Sequence, residues 1–114
     1  MRIVNKKNKE IISSNAEACT TYVQKARGLM FSKQRNLVFQ FSKEERVPLH
    51  MWFVFYPIDV IYLNKQKKVV EIKEHFKPFT IYFPKNQAKY VLELPAGAVK
   101  KSKIAIADVL EFDL

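Results

Sequence analysis

The chain has 114 residues and a formal net charge of +9, and we expect residues 1–114 to form a single domain with its own hydrophobic core. It is 48% hydrophobic, with nine Phe and five Tyr, a composition typical of a globular protein rich in β-strands. The lone cysteine, Cys19, excludes an internal disulfide and a zinc site built on paired cysteines. No stretch has the roughly 18–20 apolar residues of a membrane span, and the charged start does not resemble a secretory signal, so we expect a cytoplasmic protein.

Apolar residues recur with period two along much of the chain, which predicts β-strands separated by short polar turns. In chain order we predict a hairpin of strands 2–5 and 10–16, a short helix ending at residue 27, strands 37–41, 51–55, 58–63, 69–74, 79–83 and 90–94, and closing strands 104–107 and 109–112. Short strands with regularly spaced turn signals are typical of a sandwich or barrel. The predicted fold class is therefore mostly β, a single-domain β-sandwich or barrel with one short helix.

The helix prediction depends on a capping box, Thr21–Gln24, in which a Thr and a Gln three residues later can satisfy each other's backbone N–H groups. Gly28 follows the last helical residue and can adopt the left-handed conformation that ends many helices. A competing capping box, Ser14–Glu17, would begin the helix earlier. Cys19, Tyr22, Val23 and Ala26 fall at helical spacing, so the sequence leaves the start open.

The most apolar part of the chain lies between residues 51 and 63. Residues 51–55 and 58–63 are apolar on both faces, which is typical of central strands covered on both sides, and Pro57 breaks the pairing between them. We therefore expect the aromatic run to pack mainly in the core; its members are Trp52, Phe53, Phe55 and Tyr56. If it were exposed, it would suit stacking on single-stranded bases or contact with a protein.

Basic residues gather at predicted turns, namely residues 6–9, 65–68 and 100–103. A strongly basic protein can bind nucleic acid or an anionic membrane surface. Lysines at turns and edge strands also keep β proteins soluble and unpaired. The sequence leaves both interpretations of the charge open.

Several segments together resemble one known family. They are Arg27-Gly28-Leu29-Met30, the strand 37–41, His50-Met51, the segment 57–63, the strand 68–71, Val91-Leu92-Glu93-Leu94-Pro95-Ala96-Gly97 and Ala107-Asp108. In order and spacing they resemble the domain of unknown function 192 family from about residue 10 to the C-terminus. The resemblance implies a compact β-sandwich or barrel with a small helix, and it brings no established activity.

The chain departs from the family pattern at two places. The family usually has polar residues after its Trp-Met segment, whereas this chain has Trp52–Phe55, and His50 stands where the family's Trp would be. Ala107 replaces a glycine, which suggests that the last turn does not need a positive φ here.

Two carboxylates lie in apolar runs, Asp59 and Glu93. An unpaired buried charge is costly, so each must have a partner, and Arg27 could bond both oxygens of Asp59. One interpretation is a polar pocket, to which we assign Arg27, His50, Met51, Asp59 and Glu93. The other is a structural ion pair, or carboxylates that cap backbone N–H groups.

The leading hypothesis is a non-catalytic module that binds an unknown small or peptide-like ligand, or a protein, in this pocket. The first alternative is a basic nucleic-acid-binding β domain, with Trp52, Phe53 and Tyr56 as possible contacts. The second is an enzyme in which Asp59 and Glu93 do acid–base work; a Cys19–His nucleophile and a copper(I) site of Met and His are less supported. We assign no catalytic residue, no metal and no cofactor, and we leave the oligomeric state open.

Overall fold

The computed structural model describes residues 1–114, apart from the side chains of Tyr22, Val23 and Ala26. Its strands are β1 (Ile3–Asn5), β2 (Ile11–Ser13), β3 (Glu17–Cys19), β4 (Leu37–Glu45), β5 (Leu49–His50), β6 (Ile58–Leu63), β7 (Val69–Phe76), β8 (Ile81–Tyr82), β9 (Ala88–Pro95) and β10 (Leu110–Glu111). Its helices are α1 (Tyr22–Arg27) and α2 (Ala98–Lys101). Within the described residues, neither helix is long and apolar enough to cross a membrane.

The strands form three sheets, which confirms a mostly β fold, and the described backbone closes no barrel. A five-stranded sheet has the order β3-β4-β9-β6-β7, a three-stranded sheet the order β10-β1-β2, and β5 pairs with β8. The central strands β6 and β9 are antiparallel and almost wholly buried. Of the two, β6 is the strand that the two-sided apolar pattern predicts, whereas β9 contains the strand predicted at residues 90–94 from alternation.

The five-stranded sheet has an apolar layer on each face, because successive residues of a strand point to opposite sides. One face, which we call the hairpin face, packs beneath β1, β10 and α2; its cluster includes Ile3, Val38, Ile61, Leu92, Val99 and Leu110. The other, the loop face, packs beneath residues 29 and 51–54; its cluster includes Leu29, Phe39, Met51, Val54, Val60 and Val91. The two faces provide separate environments for the polar side chains of the sheet.

The helix is confirmed where the first capping box predicts it. The Thr21 hydroxyl accepts from the Gln24 N–H at 3.2 Å, and the Gln24 side chain accepts from the Thr21 N–H at 3.2 Å. Gly28 ends the helix with a φ of +49°. The competing box is wrong, because Glu17–Cys19 forms β3, parallel to β4. The helical spacing of Tyr22, Val23 and Ala26 concerns side chains outside the described part.

Four predicted strands are wrong in whole or in part. Of residues 10–16 only Ile11–Ser13 is a strand. Residues 51–55 form turns, in which Phe53 has a φ of +58°. Of residues 79–83 only Ile81–Tyr82 is a strand. Residues 104–107 form a turn after α2. Conversely, β4 continues to Glu45, four residues beyond the predicted end at residue 41.

The last turn also contradicts the sequence expectation, because Ala107 has a φ of +77°. A left-handed conformation costs a residue with a Cβ about 1–2 kcal/mol, whereas glycine adopts it freely. Ala107→Gly is therefore expected to raise the free energy of unfolding by about 0.5–1 kcal/mol, as measured by urea denaturation. Ala105→Gly is the control, because its φ is not positive, and it should lower stability. Equal effects of the two substitutions would contradict this prediction.

Candidate functional site

A cavity of about 150 Å³ lies over the loop face of the central sheet. It is lined by Lys25, Arg27, Gly28, Leu29, Met30, Phe39, Phe41, Val47, Pro48, Leu49, His50, Met51, Val54 and Glu93. The lining is largely apolar with a few polar groups, which is typical of small-molecule sites. A dry protein cavity of this volume can hold a single benzene-sized ring.

Glu93 supplies the buried polar group of the cavity. Its register places it opposite Leu37 on β4 and Val60 on β6, so its side chain shares their apolar face. The residue is only 7% exposed. Burial raises the pKa of Glu93 to about 7, and among the described residues no hydrogen bond or neighbouring charge offsets this effect. Near neutral pH the carboxyl can therefore either donate or accept a hydrogen bond.

The other charged groups that line the cavity are basic. The Lys25 Nζ donates to the Gln40 carbonyl at 3.1 Å and lies 4.9 Å from the centre of the Phe41 ring. Arg27 is exposed, and its Nε donates to the Met30 carbonyl at 3.4 Å. The cavity thus combines a basic, solvent-facing rim with a buried carboxyl.

His50 and Met51 occupy different depths of the cavity wall. His50 is exposed at the end of β5, and its ring stacks on Trp52 with 6.1 Å between ring centres. Met51 is 2% exposed and contributes an apolar surface. Its N–H donates to the Thr80 carbonyl at 2.8 Å, which ties the loop to the segment before β8.

The structure brings together four of the five residues assigned to a pocket from the sequence: Arg27, His50, Met51 and Glu93. Asp59 is on the opposite face of the sheet. Asp59 pairs with Leu94 whereas Val60 pairs with Glu93, and residues directly opposite each other share a face. The two carboxylates therefore point to different sides of the sheet and cannot act as one acid–base pair.

The expected ion pair between Arg27 and Asp59 is also wrong. The Asp59 Oδ2 accepts from the N–H groups of Gly97 and Val99, each at 3.0 Å, and its Oδ1 accepts from the His75 N–H at 3.0 Å. Gly97 has no side chain to cap α2, so Asp59 provides the cap. Asp59 is a structural group, as the backbone-capping interpretation predicts.

Cys19 does not have the environment of a nucleophile. Burial and the nearby Glu93 carboxylate raise the pKa of the thiol, and only the thiolate is a strong nucleophile. Among the described side chains, no group of three His, Cys, Asp or Glu could hold a metal ion.

Three further residues line the cavity that no sequence pattern indicated, Lys25, Phe39 and Phe41. Phe39 and Phe41 alternate along a predicted strand, so the sequence predicts that they share one face of the sheet. Nothing in the sequence indicates that other residues leave this face partly uncovered. Glu71 was not predicted to be buried either; its carboxylate accepts from the Tyr82 hydroxyl and the Asn86 amide. Burial alone would raise the pKa of Glu71, but the hydrogen bonds outweigh burial and hold it below its ordinary value.

The expectation that the aromatic run packs in the core is wrong for most of its members. Trp52 and Phe53 are each 44% exposed and Phe55 is 65% exposed. Tyr56 is half-buried, and its hydroxyl donates to the Ser32 carbonyl at 3.1 Å. Three of the four residues are thus exposed, and exposure is the condition under which the sequence suggested a contact surface.

Comparison with known proteins identifies relatives along the whole chain. The model of the domain of unknown function 192 family, described as uncharacterized ACR, matches residues 3–112. A UPF0127 protein of Pyrococcus horikoshii is 33% identical over 113 residues, covering 96% of this chain and 97% of the relative. Another, of Thermococcus sibiricus, is 31% identical over 116 residues, covering 98% and 75% respectively.

Two solved structures share the fold. A protein of Sinorhizobium meliloti, described as a candidate transcription regulator, superposes with a TM-score of 0.85 at 25% identity, covering 96% of this chain and 89% of that one. A protein of unknown function from Novosphingobium aromaticivorans superposes with a TM-score of 0.84 at 19% identity, covering 97% and 82%.

Proposed function

We propose that this chain, which belongs to the domain of unknown function 192 family of uncharacterised proteins, binds one small organic anion in its cavity. The apolar part of this ligand is the size of a single ring. The observation that carries the proposal is Glu93, a carboxyl group buried in an apolar cavity whose other charged lining groups are basic. Such a carboxyl is costly to bury unless something else satisfies it. A ligand hydroxyl or amide would do so.

The basic rim determines the sign of the ligand. Lys25, Arg27 and His50 face the cavity, and among the described lining residues Glu93 is the only acidic one. Clefts lined by one sign of charge raise the local concentration of ligands of the opposite sign. The ligand therefore directs its anionic group to Lys25 and Arg27 and its hydrogen-bonding group to Glu93, with its apolar body against Phe39 and Met51.

We expect 4-hydroxybenzoate to bind as a probe, because it has one ring, an anionic end and a hydroxyl at the other end. Binding should raise the Tm of the protein in a concentration-dependent way, and isothermal titration calorimetry should give one site. Phenol lacks the anion, and 4-hydroxybenzylamine has the same shape with the opposite charge. Both should bind at least roughly tenfold more weakly, because each loses the charge-assisted contact.

Two pairs of variants test which residues hold the probe. Arg27→Ala should weaken binding about tenfold, whereas Arg46→Ala, which removes an exposed arginine outside the cavity lining, should leave it unchanged. Glu93→Leu should weaken binding more than Glu93→Gln, because only the amide can still hydrogen-bond. Tighter binding of the amine than of the acid would refute the proposed ligand class.

A further inference from the structure

Four exposed phenylalanines form one connected surface beside the cavity. Phe31, Phe53, Phe55 and Phe79, which we call the aromatic surface, are 65%, 44%, 65% and 45% exposed. Phe31 stacks on Phe53 at 4.5 Å between ring centres. Phe79 meets Phe53 edge-on at 5.9 Å and Phe55 at 5.5 Å. Monomeric proteins rarely expose large contiguous apolar patches unless these bind a partner.

The backbone holds these rings outward in an unfavourable conformation. Phe31, Phe53 and Phe79 have φ values of +55°, +58° and +58°, a region that bulky side chains rarely adopt. The loops are fixed by backbone bonds, from the Phe31 N–H to the Phe53 carbonyl at 2.9 Å and from the Phe79 N–H to the Met51 carbonyl at 2.8 Å. Strained backbone of this kind is often retained at functional sites, and three of the eight non-glycine residues with a positive φ are in the aromatic surface.

The net charge of the protein comes from the stretches of sequence that contain these four rings. No Asp or Glu occurs in residues 18–43, 46–58 or 75–92, and these stretches contain nine of the 20 Lys and Arg residues. The remaining eleven basic residues balance the eleven acidic residues elsewhere in the chain. All four rings of the aromatic surface belong to these acid-free stretches, so its partner combines apolar groups with negative charge.

We propose that the aromatic surface docks onto anionic phospholipid membranes, with the phenylalanine rings inserted at the interface and the surrounding Lys and Arg against the headgroups. Interfacial binding grows with the apolar area buried and with attraction to anionic lipids, and this surface offers both. The rings of the surface carry no polar atom that could pair with a nucleobase edge. Their mutual stacking also leaves no gap between Phe31 and Phe53 for a base. A second copy of the chain is disfavoured, because it would bring the same positive charge.

Co-sedimentation of the full chain with vesicles tests the proposal. We expect binding to vesicles of equimolar phosphatidylcholine and phosphatidylglycerol, and much weaker binding to pure phosphatidylcholine. Phe53→Asn should weaken binding at least roughly tenfold, because it removes a ring from the apolar contact. Asn tolerates a positive φ better than Phe, which offsets part of the packing that the ring loses against Phe31 and Phe79. The Tm of the variant is measured as well, and a loss of binding well below that Tm cannot be attributed to misfolding.

Matched variants on the opposite side of the molecule provide the controls. Ile106 is 57% exposed, and Ile106→Asn should bind vesicles as the unchanged protein does. Lys33→Glu with Lys77→Glu should weaken binding more than roughly tenfold. The double substitution Lys100→Glu with Lys101→Glu on α2 changes the net charge by the same amount, and it should leave vesicle binding unchanged.

Three results would overturn the proposal. The first is no binding to the mixed vesicles, and the second is an equal effect of Phe53→Asn and Ile106→Asn. The third is binding of a labelled single-stranded oligothymidylate that Phe53→Asn abolishes while vesicle binding is unaffected, which would assign the surface to nucleic acid. Because this site is separate from the cavity, Arg27→Ala and the 4-hydroxybenzoate titration test the proposed function independently.

Discussion

Asp59→Asn is expected to lower the free energy of unfolding by about 3 kcal/mol at pH 7, although Asn has nearly the same shape. The carboxylate accepts three backbone hydrogen bonds at 3.0 Å, from Gly97, Val99 and His75, and the side chain is completely buried. An amide has one accepting oxygen, and its NH₂ group would face a backbone donor. The substitution therefore leaves at least one buried N–H without a partner.

The loss of stability should affect more than one part of the fold, because the three N–H donors belong to different elements. Gly97 and Val99 begin α2, and His75 lies in β7 with a φ of +50°. Without the carboxylate, neither the start of α2 nor this conformation of His75 keeps its hydrogen bond. We expect hydrogen exchange at these three amides to increase more than elsewhere in the sheet.

Urea denaturation followed by circular dichroism measures this prediction. Asp113→Asn is the matched control, because Asp113 is exposed near the C-terminus, and it should change stability by less than about 0.5 kcal/mol. The folded Asp59→Asn protein should still bind 4-hydroxybenzoate, because Asp59 is on the hairpin face. A stable variant that fails to bind the probe would show that Asp59 acts in the cavity instead.

Asp59 and Glu93 show how far the sequence determines the site. Each lies in a run of apolar residues, so the sequence predicts that both are buried. Whether they face one another depends on the register of β6 against β9, since a slip of one residue moves a side chain to the other face of the sheet. That register comes from packing across the whole sheet, and no local pattern encodes it.

The loop over the cavity shows a different limit. Residues 51–55 look like a buried strand because they are almost continuously apolar, and short apolar runs are ambiguous in this way. In the structure Met51 and Val54 face inward while Trp52, Phe53 and Phe55 are exposed. The apolar residues of this segment therefore divide between core and surface. A positive φ at Phe53 turns the chain, and the segment contains no Gly, Asn or Asp that would have predicted this turn.

The helix and the central strands could be predicted because their signals are local. The capping box at Thr21–Gln24 and the glycine after Arg27 involve neighbours in sequence. The apolar pattern of Ile58–Leu63 matches a strand that is buried at every position. The cavity, by contrast, needs four separate parts of the chain to meet, and only Arg27, His50, Met51 and Glu93 among its lining residues were identified beforehand.

Glu93→Gln is expected to stabilise the protein by about 3 kcal/mol at pH 8 and to have little effect near pH 4. In the folded protein burial raises the pKa of Glu93 from 4.5 to about 7. Between these two values the folded state holds a proton that the unfolded state releases. Wild-type stability therefore falls as the pH rises through this window, and above about pH 7 the folded state contains a buried carboxylate that is not compensated.

Glutamine has nearly the same shape and no titrating group, so it removes this pH-dependent contribution. The stability difference between Glu93→Gln and the unchanged protein should open between about pH 4.5 and 7 and then level off, as measured by urea denaturation at a series of pH values. Glu111→Gln is the control, because Glu111 is exposed. Its free energy of unfolding should change with pH in the same way as that of the wild type. A difference that is constant with pH would mean that Glu93 is not a buried, desolvated acid.

The same variant connects stability to the proposed function. A buried carboxyl group that destabilises the fold at neutral pH is typical of a binding site, in which the ligand and not the protein provides the hydrogen-bond partner. Saturating 4-hydroxybenzoate should therefore narrow the stability gap at pH 8 between the unchanged protein and Glu93→Gln, because the ligand hydroxyl hydrogen-bonds to the carboxylate. If the gap stays the same while the probe is bound, the hydroxyl does not reach Glu93, and the orientation proposed for the ligand is wrong.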